Sequence, residues 1–123
     1  MIPDHRNIEK ETLKNNNYRK VLYTVKGKNQ LVLMSLNPGE DIPEEIHPTI
    51  SQFIRVEAGK GYAKIDGKRY TLKDGMSIII PPGAKHYIKN TSKTEKLKMY
   101  TIYSPDNHPE GRLDKRQPEN DDH

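Results

Sequence analysis

From Val21 onward, short runs of β-branched and aromatic residues alternate with turn residues at intervals of about ten, the spacing of an antiparallel sandwich or barrel. The pattern predicts strands over residues 19–25, 31–36, 51–57, 61–65, 68–72, 77–80, 86–90 and 97–103. Asp66-Gly67 supplies two residues tolerant of positive φ, as a two-residue hairpin requires, and joins two of these strands. Pro38-Gly39 and Pro81-Pro82-Gly83 end others, because proline cannot donate to a ladder and glycine permits a sharp bend. Ile78-Ile79-Ile80 is apolar at every position, which predicts a strand covered on both faces or one whose outer face meets a second subunit, as in a homodimer. Residues 8–13 predict one or two helical turns, ended by Asn15-Asn16-Asn17.

The organisation that follows is a short N-terminal arm over residues 1–17, one β-domain over 18–104 and a polar tail over 105–123. The tail is too polar to order itself by burial. At 123 residues the chain has length for a single core, and with 32% hydrophobic residues that core must come from the few apolar runs. Met34, Met76 and Met99 are expected to fill it. Phe53 is expected on the outer face, Tyr100 and Tyr103 on opposite faces, Glu57 outward, and Asn90 at a strand end.

Twenty-one basic against 17 acidic residues give a net charge of +4, but the lysines are scattered rather than gathered on one face, so no nucleic-acid partner is expected. Without cysteine there is no disulfide framework and no thiolate ligand. The start of the chain carries no apolar signal region and no run is long enough to span a bilayer, so the expected location is cytoplasmic with no membrane partner.

Candidate chemistry gathers at Glu45, His47, Gln52 and His86. Alternation along a strand points Glu45 and His47 the same way. The Pro48-Thr49 interruption lets Gln52 face back in phase with Ile54 and Val56, while His86 comes in phase with Ile88. Together the four supply two nitrogens and two oxygens, a set suited to one divalent transition metal such as Mn, Fe, Ni or Zn. His5, His108 and His123 lie in polar or terminal segments and are read as surface residues.

The spacing resembles the two sequence motifs of the cupin superfamily. The first runs Gly39, Glu45, His47, Gln52, Gly59, and the second Gly75, Pro81-Pro82-Gly83, His86, Asn90. The commonest first motif has two histidines and a glutamate where this chain has Glu45, His47 and Gln52; the replacements are still oxygen donors. Residues 18–112 further resemble small single-domain cupins described as similar to mannose-6-phosphate isomerase. The resemblance implies an all-β fold, a double-stranded β-helix or jelly-roll barrel with the ligand in its mouth, commonly a homodimer. It also implies a metal-dependent isomerase or epimerase acting on a small-molecule substrate such as a sugar or sugar phosphate. The alternatives are a non-haem Fe(II) dioxygenase, with His47, His86 and Glu45 as the facial set, and a non-catalytic barrel that binds a small ligand. The sequence does not identify a general base.

Overall fold

A computed structural model describes residues 2–119. In chain order the elements are α1 (Ile8–Lys14), β1 (Arg19–Val25), β2 (Asn29–Leu36), β3 (Asp41–Ile46), β4 (Ser51–Ala58) and β5 (Lys60–Ile65), then β6 (Lys68–Lys73), β7 (Ser77–Ile80), β8 (Lys85–Asn90), β9 (Leu97–Ser104) and β10 (Leu113–Asp114). The strands form two antiparallel sheets, one ordered β10-β1-β2-β9-β4-β7 and the other β3-β8-β5-β6, as a jelly-roll requires. Alternation, strict in β8 and β9 and kept in β4 as far as Val56, sends every second side chain inward, where Met34, Leu36, Ile54, Val56 and Met99 of one sheet meet Ile42, Ala63, Leu72 and Ile88 of the other. Each such wholly buried aliphatic side chain contributes about 1.5–3 kcal/mol relative to exposure.

The eight strands expected from the pattern are all present, with ends moved by two residues at most. Two others are not visible in it. Strand β3 reads Asp-Ile-Pro-Glu-Glu-Ile, poor in strand formers, and forms because it is the edge of its sheet. Its pairing with β8 is irregular between Ile42 and Glu45, and Pro43, which has no N–H to donate, sits inside that irregularity. Strand β10 is two residues long and pairs with Arg19 and Lys20 of β1. Its anchor is Arg19, wholly buried, whose guanidinium donates to Asp114 Oδ2 at 2.6 Å.

Local chemistry explains the connections. Asp66 (φ 47°) and Gly67 (φ 87°) make the two-residue hairpin of β5 and β6. Gly59 (φ 89°) tolerates no side chain, since a Cβ would lie 2.3 Å from the Lys96 carbonyl oxygen. Helix α1 is capped by the Asn7 carboxamide, which accepts from Lys10 N at 3.0 Å, and ends at Asn15. Lys98 of β9 holds its end, donating to the Leu13 and Asn15 carbonyls at 2.7 Å each. Burial lowers the Lys98 pKa, and Lys96 adds to that.

Several expectations need correction. Met76 is 40% exposed at the β6–β7 turn rather than in the core. Glu57 is buried where a register shift falls between Val56 and Ala58, and its carboxylate accepts from Arg55 Nε at 3.0 Å. Ile79 stands 68% exposed while Ile80 is buried, so within one chain only one face of the triple isoleucine is covered. Residues 105–119 of the tail are ordered against the barrel, and the means is polar rather than apolar. Gln30, wholly buried, donates to Thr24 Oγ1 and to the His108 carbonyl, both at 2.8 Å, and accepts from the backbone N–H groups of Asn107 (3.1 Å) and His108 (2.9 Å). One carboxamide thus answers three backbone groups that would otherwise be stranded away from water. Residue 123 lies outside the described residues.

Replacing Gln30 by Leu should therefore destabilise the protein by about 2–4 kcal/mol, since buried backbone groups lose their partners. In limited trypsin digestion the variant should be cut after Arg112 or Lys115 while the rest persists; a cleavage pattern identical to the parent would show that Gln30 does not hold the tail.

Candidate functional site

Three strands and one loop supply the four candidate residues. Across β3 and β8, Glu45 and His86 are direct register partners. His47 follows one residue beyond β3, and its carbonyl accepts from Gly83 N at 2.8 Å, tying it to the turn that precedes β8. The result is that the His47 and His86 rings meet edge to face, with centroids 4.9 Å apart at 70°, and His47 Nε2 lies 3.6 Å from Glu45 Oε2. Gln52 opens β4 on the inward face, in phase with Ile54 and Val56. Its Nε2 donates to Thr101 Oγ1 at 3.0 Å. Its Oε1 is buried and accepts no hydrogen bond among the described residues.

The environment sets the protonation states. The Ala84 carbonyl, which can only accept, lies 3.1 Å from His86 Nδ1, so Nδ1 carries the proton and Nε2 presents its lone pair. The His86 pKa is lowered, first by burial and further by neighbouring His47; the hydrogen bond to Ala84 and the charge of Glu45 oppose this without reversing it. His47, Gln52 and His86 are 6%, 4% and 2% exposed, whereas the Glu45 side chain is 34% exposed, so the group meets solvent on the Glu45 side.

Among the described residues no three His, Cys, Asp or Glu side chains by themselves make a group that could hold a metal ion. The fit of this set to a cation therefore turns on the carboxamide. A buried carbonyl oxygen left without a donor costs about 1–3 kcal/mol, and a divalent ion is one partner that removes the cost. Imidazole with carboxylate and amide oxygen is a donor mixture that first-row divalent metals accept.

Sequence reading placed the four candidates in one neighbourhood but missed what surrounds them. Tyr103, the inward member of the Tyr100 and Tyr103 pair, lies parallel to His47 with centroids 6.1 Å apart at 16°. His108, expected at the surface, is 4% exposed and packs its ring edge to face on Tyr103 at 5.3 Å. Nothing in the polar run around His108 signals this; its burial follows from Gln30, 78 positions away. Thr101 is in phase with Tyr103 along β9, a signal that alternation could have supplied.

A family profile described as "Cupin domain" matches residues 32–103. An uncharacterized protein of Acanthamoeba polyphaga mimivirus is 50% identical over 92% of this chain and 72% of its own length. The uncharacterized Bacillus subtilis protein YrkC is 43% identical over 87% of this chain, which spans only 60% of that relative. A crystal structure of a Bacillus halodurans protein superposes with a TM-score of 0.89 at 38% identity, covering 94% of this chain and 90% of that one. Among more distant matches is a Bacillus subtilis quercetin 2,3-dioxygenase, 33% identical over 59% of this chain and 22% of its own length. A protein of Acidithiobacillus ferrooxidans provisionally called a sugar phosphate isomerase shares the fold, with a TM-score of 0.56 at 24% identity over 63% of this chain and 50% of that one. Among the described residues no helix is long and apolar enough to cross a membrane.

Thr101→Val keeps the shape of the Gln52 pocket but removes the acceptor of its Nε2. The variant should lose about 1–3 kcal/mol in urea denaturation of the metal-free protein; an unchanged midpoint would mean the carboxamide is not held by this bond.

Proposed function

The chain belongs to the cupin-domain family, and from that premise we propose that Glu45, His47, Gln52 and His86 hold one divalent first-row transition metal. The protein then transforms a small molecule that presents two adjacent oxygen atoms. The observation that carries this reading is the meeting of the two imidazoles, centroids 4.9 Å apart, with Glu45, together with a buried Gln52 oxygen that accepts no hydrogen bond among the described residues and whose residue is the register partner of Tyr103, the ring that lies along His47. When bound, the metal supplies Lewis-acid polarisation of a substrate oxygen. The residues do the rest. The His86 Nδ1 bond to Ala84 fixes that ring's tautomer, Thr101 fixes the Gln52 amide, and the Tyr103 face limits rotation of His47. Their burial keeps water from three of the four donors.

One reading of the chemistry is proton transfer between adjacent carbons, as in an aldose–ketose isomerase or epimerase acting on a sugar or sugar phosphate. A second reading is oxygen insertion by a non-haem Fe(II) dioxygenase. It is favoured by the partial match to quercetin 2,3-dioxygenase, with the Gln52 oxygen needed in addition to the two imidazoles and Glu45, since those three by themselves do not make a metal-holding group. We also propose a homodimer, the arrangement that the cupin resemblance implies.

Protein purified without chelator or affinity metal should contain about one Mn, Fe, Ni or Zn per chain, and His47→Ala and His86→Ala should each lose it while keeping the far-ultraviolet spectrum of the parent. A metal-free parent, or variants that keep full metal, would overturn the assignment. Conversion of mannose 6-phosphate to fructose 6-phosphate without oxygen uptake selects the isomerase; oxygen consumption with bound iron selects the dioxygenase. In sedimentation the parent should run as a dimer; a monomeric parent removes the dimer.

A further inference from the structure

A second hollow among the described residues lies apart from the four candidate donors. It is a cleft of about 590 Å³ along the open edges of the two sheets, between β6 and β7. Its position is informative. Ile65, on one wall, is the direct register partner of His86, and Ile78, on the other, is the partner of Ile54. Pro81 closes the β7 side and follows Ile80, the partner of Gln52. Directly paired residues share a sheet face, so Ile65 and Ile78 carry the inner walls of the cleft onto the faces that bear His86 and Gln52, one cross-strand step away, while Arg69 and Ile79 carry its rim onto the outer faces.

We propose that this cleft receives the apolar body of the substrate, whose oxygen-bearing head reaches the four donors; the inference rests on the metal-site reading above. The volume falls within the usual range of small-molecule sites, about 300–1,000 Å³. The lining decides the class. Ile65, Leu72, Met76 and Ile78 offer hydrocarbon and Tyr70 an aromatic face, while Thr71 and Ser77 add two hydroxyl groups. The one charged lining residue, Arg69, has its guanidinium over the Tyr62 ring at 4.2 Å. Two hydroxyls and one guanidinium stacked on an aromatic ring are too few to pair every hydroxyl of a polyhydroxylated body or to enclose a phosphate. An aromatic or branched aliphatic body gains burial instead. Tyr70 (41% exposed) and Met76 (40% exposed) stand at the rim, apolar surface that such a body would cover. The substrate class is therefore an aromatic or branched hydrocarbon bearing two vicinal oxygens, rather than a sugar phosphate.

The test compares catechol with 4-tert-butylcatechol, which share the head and differ only in the apolar group. On full-length protein loaded with Zn(II), calorimetry should give about tenfold or tighter binding of the tert-butyl compound. Tyr70→Ser and Met76→Ser, both at the exposed rim, should each cut that advantage to below about threefold. In metal-free protein the same compound should shift the methyl resonances of Ile65 and Ile78, and catechol should not. Equal affinities for the two probes, or an advantage that survives both variants, overturn the inference. So do methyl shifts that track protein concentration rather than ligand, which would mean a second copy covers the cleft. If the methyl shifts occur but neither probe binds better to Zn-loaded than to metal-free protein, the cleft assignment stands and the metal-site reading fails.

Discussion

Antiparallel pairing of β3 with β8 sets Glu45 opposite His86, and the chemistry of the site depends on that register. Side chains alternate across a strand, so a slip of one residue would turn Glu45 and His47 outward and leave His86 facing the core without them. The irregularity between Ile42 and Glu45 sets the phase of the strand's end, with Ile42 packed in the core and Glu45 beside His47. The Gly83 bond to the His47 carbonyl then closes the loop, so two segments far apart in sequence end as one rigid corner.

Polar side chains, more than apolar ones, hold the parts that the sheets do not. Gln30 fastens the tail, Arg19 and Asp114 fasten β10, and Asn90 joins three carbonyls, donating to those of Leu36, Asn37 and Glu95 at 2.9–3.1 Å. All three anchoring residues are wholly buried. A satisfied buried hydrogen bond adds only about 1 kcal/mol net, but a severed one strands its partner at up to three times that cost. These contacts therefore act mainly by making alternatives expensive. The tail they position places His108 against Tyr103, and Tyr103 in turn lies against His47.

Alternation made the eight long strands, the Asp66-Gly67 hairpin and the inward phase of Gln52 and His86 readable from the chain, because burial on one face writes itself into every second residue. The same rule could not reveal β3, whose proline and carboxylates suit an edge, nor β10, which exists through one ion pair across 95 positions. His108 and Met76 went wrong for opposite reasons. A polar run hid a histidine buried by a distant glutamine, and an apolar residue beside Gly75 proved to be the rim of a cleft. Neighbourhood in sequence says little where the partner is remote. The inward phase of the candidate residues was legible; the aromatic packing behind them and the apolar cleft near them were not, since both arise only when the sheets close.

The account stands on a single ion shared by the two imidazoles. Anomalous scattering from a crystal soaked in Co(II) measures this directly. One peak per chain should appear, at about 2.1 Å from a ring nitrogen of both His47 and His86, with Glu45 and Gln52 oxygens completing the contacts. A peak bonded to only one of the two rings, or separate peaks on each, would contradict the shared site and the function built on it.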